Sequence, residues 1–240
     1  MTRSPETGPD AITRTMRVME FGDSMLPIGA FSFSSGLESA VAQQEVTGPE
    51  SLREYVHTAT HQAATGDGVA VLQAHRAALA GDFAGVLSAD HAVTVRKLNE
   101  ETRLMSVRMG KKLGQLGTRL TENTENPVLG TWLSAITSGE APGTFPAGLG
   151  VVFAEMGSPE EDAFAVHQYG VAMTILGAAL RLLRVDHTTT QSILFAVNEQ
   201  AAEEYALVRD RALTDMCTFA PMTDVLAAVH VQAHVRMFMN

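Results

Sequence analysis

Residues 90–117 read DHAVTVRKLNEETRLMSVRMGKKLGQLG. Leu98, Met105, Met109, Leu113 and Leu116 fall at intervals of three, four or seven, which lays a single apolar stripe along a helix. The length of the run predicts the central helix of the molecule. The same spacing continues to either side, Ala is plentiful, and period-two runs rich in β-branched residues are missing. The predicted fold is therefore all-α, a single-domain bundle of roughly eight to ten helices spanning residues 13–240, preceded by a flexible tail at residues 1–12.

Turn and cap chemistry divides the rest. Arg14 to Phe21 predicts a short helix, interrupted by a Gly-, Pro- and Ser-rich loop from Gly22 to Phe33, and Leu37 to Gln44 resumes helix. Thr47-Gly48-Pro49-Glu50 supplies a capping box and an early Pro. Thr65-Gly66-Asp67-Gly68 and Gly81-Asp82 are expected to punctuate two shorter helices. A short helix around Trp132 and Ile136 follows Pro127, and Gly139 to Pro146 forms a second loop. Ser158-Pro159-Glu160-Glu161 marks a strong start, with Ser158 as N-cap, to a helix that runs towards Leu183. Thr188 to Arg209 and Thr223 to Phe238 complete the pattern.

Composition removes several classes of function. With 45% apolar and 18% charged residues the chain is globular rather than disordered. Seventeen Lys and Arg against 27 Asp and Glu leave a net charge of −10, which opposes nucleic acid and anionic lipid as partners. The lone Cys217 and a polar beginning point to a reducing cytoplasm. The longest apolar stretch, Val171 to Leu180, is broken by Thr174 and Gly177 and stopped by Arg181, so no membrane span is expected.

Catalytic patterns are equally sparse. Met109-Gly110-Lys111-Lys112 lacks the earlier Gly and the hydroxyl of a phosphate loop. Ser32, Ser34 and Ser35 lack the Gly that precedes the Ser of a nucleophile elbow. His57 and His61, and likewise His230 and His234, are four apart, close enough to share a metal, but no Glu lies between the first pair and no third ligand is apparent. The simplest reading is that they are surface or partly buried histidines, and Glu100-Glu101, Glu160-Glu161 and Glu203-Glu204 are solvated or first-turn charges. No catalytic group, resident metal or cofactor is expected.

Within this acidic chain, Arg96 to Arg119 holds seven bases and two acids, a local +5, which is either a solvated face or a docking surface for an acidic partner. Gly110, Gly114 and Gly117 on the same helix point to close backbone approach, in the core or at a subunit contact. Arg181, which closes an apolar run, has to reach water, an acid or a partner.

The stretch Asp23-Ser-Met-Leu-Pro-Ile-Gly-Ala-Phe-Ser-Phe-Ser-Ser-Gly-Leu-Glu38 is a Pro- and Gly-punctuated loop that Phe31 and Phe33 can anchor, leading into a helix at Gly36. It strongly resembles the N-terminal signature of the urease accessory protein UreF family. Met109 to Leu113, Val151-Val152-Phe153 and His230-Val-Gln-Ala-His-Val-Arg236-Met-Phe238 agree in order, so the resemblance spans nearly the whole chain. Three positions depart from the pattern: Val231 replaces an acid, Gly150 or a neighbour replaces a His, and Arg184-Val185-Asp186 replaces a Pro/Gly turn.

The resemblance implies a non-catalytic all-α scaffold that dimerises, binds a UreD/UreH-type accessory protein, and helps recruit a nickel-carrying UreG-type GTPase to apo-urease. It marks Asp23, Ser24, Pro27, Gly29, Phe31, Gly36, Glu38, Arg181, His230, His234, Arg236 and Phe238 as partner-facing. Two alternatives from other classes are a GTPase activator, inserting Arg181 or a base from Arg96–Arg119 as an arginine finger, and a metal-dependent helical enzyme using His57 and His61.

Overall fold

In the computed structural model, residues 9–121, 128–217, 220–230 and 237–238 are described, apart from the side chains of Phe31, Thr223, Asp224, Ala227, Val229 and His230. Among the described residues the fold is all-α, with no strand. Helix α1 spans Ala11–Gly22, α2 Leu37–Ala42, α3 Pro49–Ala63, α4 Val69–Leu79, α5 Phe83–Arg96 and α6 Glu100–Leu120. Helix α7 spans Val128–Ser138, α8 Phe145–Glu155, α9 Glu160–Leu182, α10 His187–Asn198, α11 Ala201–Val208 and α12 Pro221–His230.

The element at the centre is α9, which packs against α1, α2, α3, α4, α8, α10 and α11. It is long and apolar enough to cross a membrane by length and composition, yet 56% of its apolar window is buried within the fold and its first turn is Glu160-Glu161-Asp162. The stretch 90–117 that predicted one central helix is two. Helix α5 ends at Arg96, the chain extends at Lys97, and Asn99 caps α6 by accepting the Thr102 N–H at 3.1 Å. No Gly or Pro marks the break, although an Asn before two Glu is a cap signal.

The opposite correction applies at Thr65 to Gly68. These residues form a π-helical turn, Ala64–Gly68, that joins α3 to α4 without a break. A Cβ at Gly68 would lie 2.9 Å from the Phe164 ring, so the glycine admits α9 rather than ending a helix. Thr188 to Arg209 splits at Glu199 and Gln200 into α10 and α11. Two caps also differ from expectation. The Ser51 hydroxyl, not Thr47 and Glu50, takes the N–H groups of Thr47 and Gly48 at 3.0 and 3.3 Å. Pro159 stands at the N-cap of α9, and Ser158 instead accepts from His75 Nε2 through its carbonyl at 2.7 Å. Asp10 caps α1, which therefore begins inside the segment expected to be tail.

The glycine stripe of α6 faces inward. A Cβ on Gly110 would collide with the carbonyl of Gly143, and one on Gly114 would lie 2.9 Å from the Trp132 ring. The second loop that α6 meets is fixed by Asp90, fully buried, whose carboxylate accepts from Trp132 Nε1 at 2.9 Å and from the N–H groups of Gly143 and Thr144 at 2.9 and 2.7 Å. Those three donors satisfy a polar group that burial without partners would penalise. At the start of α9, Glu160 joins α4 to α11: Arg76 binds it with two nitrogens, at 2.6 and 2.5 Å, and the Tyr205 hydroxyl donates to it at 2.9 Å. Burial works to raise the Glu160 pKa, but these partners outweigh it and hold the carboxyl below its ordinary value.

Candidate functional site

The loop after α1 is built to hold one shape. The Asp23 carboxylate accepts the Met25 N–H at 2.8 Å, and the Ile28 and Phe33 side chains are buried at 7% and 5% exposure. Gly29 sits at φ 86°, and Ser35 and Gly36 follow at 52° and 82°, two consecutive left-handed residues that turn the chain into α2. The Tyr55 hydroxyl pins that turn by donating to the Ser35 carbonyl at 2.8 Å. Asp23, Ser24 and Pro27 are exposed on the loop, Gly29 is half-buried and Gly36 is buried. Phe33 provides the expected anchor, whereas the Phe31 side chain lies outside the described residues.

Glu38, in the first turn of α2, reaches a segment two hundred residues away. Its carboxylate accepts the Met237 N–H at 2.7 Å and the Phe238 N–H at 3.0 Å. Phe238 is only 5% exposed and belongs to the apolar cluster with Leu37, Leu176, Ala179 and Leu226, while the Arg181 guanidinium lies 4.2 Å from its ring centroid. Three residues singled out from the sequence, Glu38, Arg181 and Phe238, are thus brought together within the chain. Phe238 is spent on the chain's own core, while Met237 beside it is exposed. The backbone of His230 ends α12, and His234 and Arg236 lie outside the described residues.

A groove beside this clasp was not legible in the sequence. About 380 Å³ in volume, it runs along α9, is walled by Leu26 and Ile28 of the loop, Met105 and Met109 of α6 and Phe145 of α8, and has Asp23, Ser24 and Arg181 on its rim. That volume falls within the ordinary range for ligand clefts. The ion pair Lys97–Asp67, at 2.6 Å, stands at one end beside His167. Burial holds His167 neutral by lowering its pKa to about 4, with Asp67 and Lys97 acting in opposite directions. Its ring stacks on Phe145, and Nδ1 meets the Gln168 amide at 3.4 Å. A lone His in an apolar run reads as core, and only the tertiary arrangement places it against a groove.

His57 is exposed, while His61 Nδ1 pairs with Glu204 at 2.6 Å. Among the described residues no group of three or more His, Cys, Asp or Glu is placed to hold a metal ion. Ser34 is fully buried under the loop.

Fold and site together describe an all-α protein that holds a loop, a clasped C-terminal end and an apolar groove in fixed relation. The family model described as UreF matches residues 46–198. The urease accessory protein UreF 2 of Brucella canis is 53% identical over 225 residues, covering 94% of this chain and 91% of that protein. UreF 1 of Brucella melitensis is 52% identical over 94% of this chain and 92% of its own, and UreF of Yersinia enterocolitica is 47% identical over 94% and 97%. The chain belongs to the urease accessory protein UreF family.

Proposed function

We propose that the chain is a non-catalytic urease accessory scaffold that bridges a UreD/UreH-type protein and a UreG-type GTPase, so that nickel is inserted into apo-urease. The observation that carries this reading is membership of the family at 47–53% identity over 94% of the chain. The physical chemistry agrees with it: a loop fixed by left-handed turns and buried anchors gives a partner a surface whose ordering cost is already met on folding. The scaffold acts in the cytoplasm as a homodimer, binds neither nucleic acid nor membrane, and leaves metal handling to its partners. Asp23, Ser24 and Pro27 are the exposed loop positions proposed to meet a partner, and His230, His234 and Arg236 remain proposed partner-facing residues of the C-terminal segment. Gly36, Glu38 and Phe238 support that surface from within.

Co-purification tests the reading. Affinity-tagged chain, expressed with the urease gene products, is expected to retain the UreD/UreH-type protein and, only in its presence, the GTPase. Retention of neither partner, or GTP hydrolysis by the isolated chain, would contradict the scaffold role.

A further inference from the structure

Helix α6 carries two chemistries on opposite sides. Its glycines and Leu113 face the core, while Arg108, Lys111, Lys112, Gln115 and Arg119 are exposed. Arg108, Lys112, Gln115 and Arg119 follow one another at four, three and four residues, which makes a single row, with Lys111 alongside. From Leu104 to Leu120 the helix contains no acid. Arg108 stands one turn from both Lys111 and Lys112, a like-charge spacing that costs an isolated helix a few tenths of a kcal/mol per pair. Among the described residues none of these four bases forms an ion pair, whereas Arg14, Arg76 and Lys97 elsewhere each have a carboxylate within 2.8 Å. Among the described residues, then, a repulsive row stands without a compensating carboxylate.

We propose that this row docks a carboxylate-rich surface on a protein partner. The proposal rests on the scaffold reading, and assigns to one member of that assembly an acidic face. Arg108 to Arg119 spans about 16 Å of helix, the extent of a protein patch. Removing the row's +4 from the net −10 leaves −14 on the rest of the chain, a field that repels an extended polyanion but hardly weakens a short-range match to local carboxylates. Exposed Leu104 and Leu120, 45% and 49% accessible, bracket the row with apolar contact area. Lys112 Nζ lies 3.2 Å from where a Cβ on Gly29 would stand, so the row runs beside the rigid loop and the two form one continuous surface.

The test compares wild type with Arg108→Gln/Lys111→Gln/Lys112→Gln and with the corresponding triple Glu variant. Each is mixed with the purified UreD/UreH-type protein, the GTPase and apo-urease at about 0.05 M and about 0.5 M salt. The wild-type assembly is expected to weaken as salt rises, the Gln variant to bind one component roughly tenfold more weakly at low salt, and the Glu variant more weakly still. Far-UV circular dichroism of both variants should match wild type, because the three side chains form no described hydrogen bond or ion pair. Equal binding by all three proteins at both salt concentrations overturns the docking row and leaves the scaffold reading intact. Failure of the wild type to assemble at all overturns the scaffold reading, and the row falls with it. Retention of duplex DNA by wild type but not by the Gln variant overturns the choice of a protein partner.

Discussion

Replacing Glu38 by Gln tests whether the C-terminal end is held by the chain itself. Gln keeps the length of the side chain but removes the charge and one of the two acceptor oxygens, so that of the hydrogen bonds from Met237, exposed, and Phe238, part-buried, one is left uncharged and the other is lost. A hydrogen bond to a charged group contributes about 1.5–3 kcal/mol when sheltered and less in water, so the pair should hold the end by about 2 kcal/mol. Chain ends open locally, and the loss should therefore appear there rather than in global unfolding. Hydrogen exchange read at the amides of Met237 and Phe238 is expected to accelerate roughly thirtyfold in Glu38→Gln, with the midpoint of urea unfolding nearly unchanged. Phe238→Ala should go further although it keeps both backbone donors, because it empties a position beside Leu37 and Leu176: a buried Phe truncated to Ala costs about 3–5 kcal/mol, capped here by the free energy of releasing the end. Unaltered protection of the two amides in Glu38→Gln, with Phe238 still buried, would refute the clasp.

Other expectations follow from single positions. His167 is neutral in the fold, with a pKa of about 4 against an ordinary 6.5, so the unfolded chain binds more protons between those values. Stability should be full above pH of about 6.5 and fall by about 3 kcal/mol as pH drops to 4. Urea unfolding of His167→Gln should show a shallower decline, the remainder coming in part from His75, whose pKa burial also lowers; an unchanged slope would refute the assignment. Gly110→Ala drives a methyl into the Gly143 carbonyl and should cost about 2–3 kcal/mol, whereas Gly177→Ala, with open space at its Cβ, should raise stability by about 0.5–1 kcal/mol in the same denaturant assay.

How much of this was legible in the sequence depends on the range over which the deciding interaction acts. Helix class and most helix positions follow from spacing and from local punctuation such as Gly81-Asp82, because amphipathic burial and turn geometry are settled within a few residues. The rigid loop from Asp23 to Gly36 was visible for the same reason, and so was the glycine stripe of α6, although whether it faced the core or a subunit was left open. The break at Lys97 was hidden because no Gly or Pro marks it, and the π turn at Ala64–Gly68 because glycine that admits Phe164 looks like glycine that ends a helix. Glu38, Arg181 and Phe238 were each singled out by resemblance, but their meeting was beyond reach: nothing local links residues two hundred positions apart. His167 and the Lys97–Asp67 pair acquire meaning only from the groove that three separate helices and a loop enclose.

The most direct test of the scaffold account is urease activation in cells that carry every urease gene except the one for this chain. The account predicts assembled urease lacking nickel and activity, both restored by the wild-type chain and not by a chain lacking residues 231–240, with the truncated protein still folded by circular dichroism. Full nickel content and activity without the chain would contradict it.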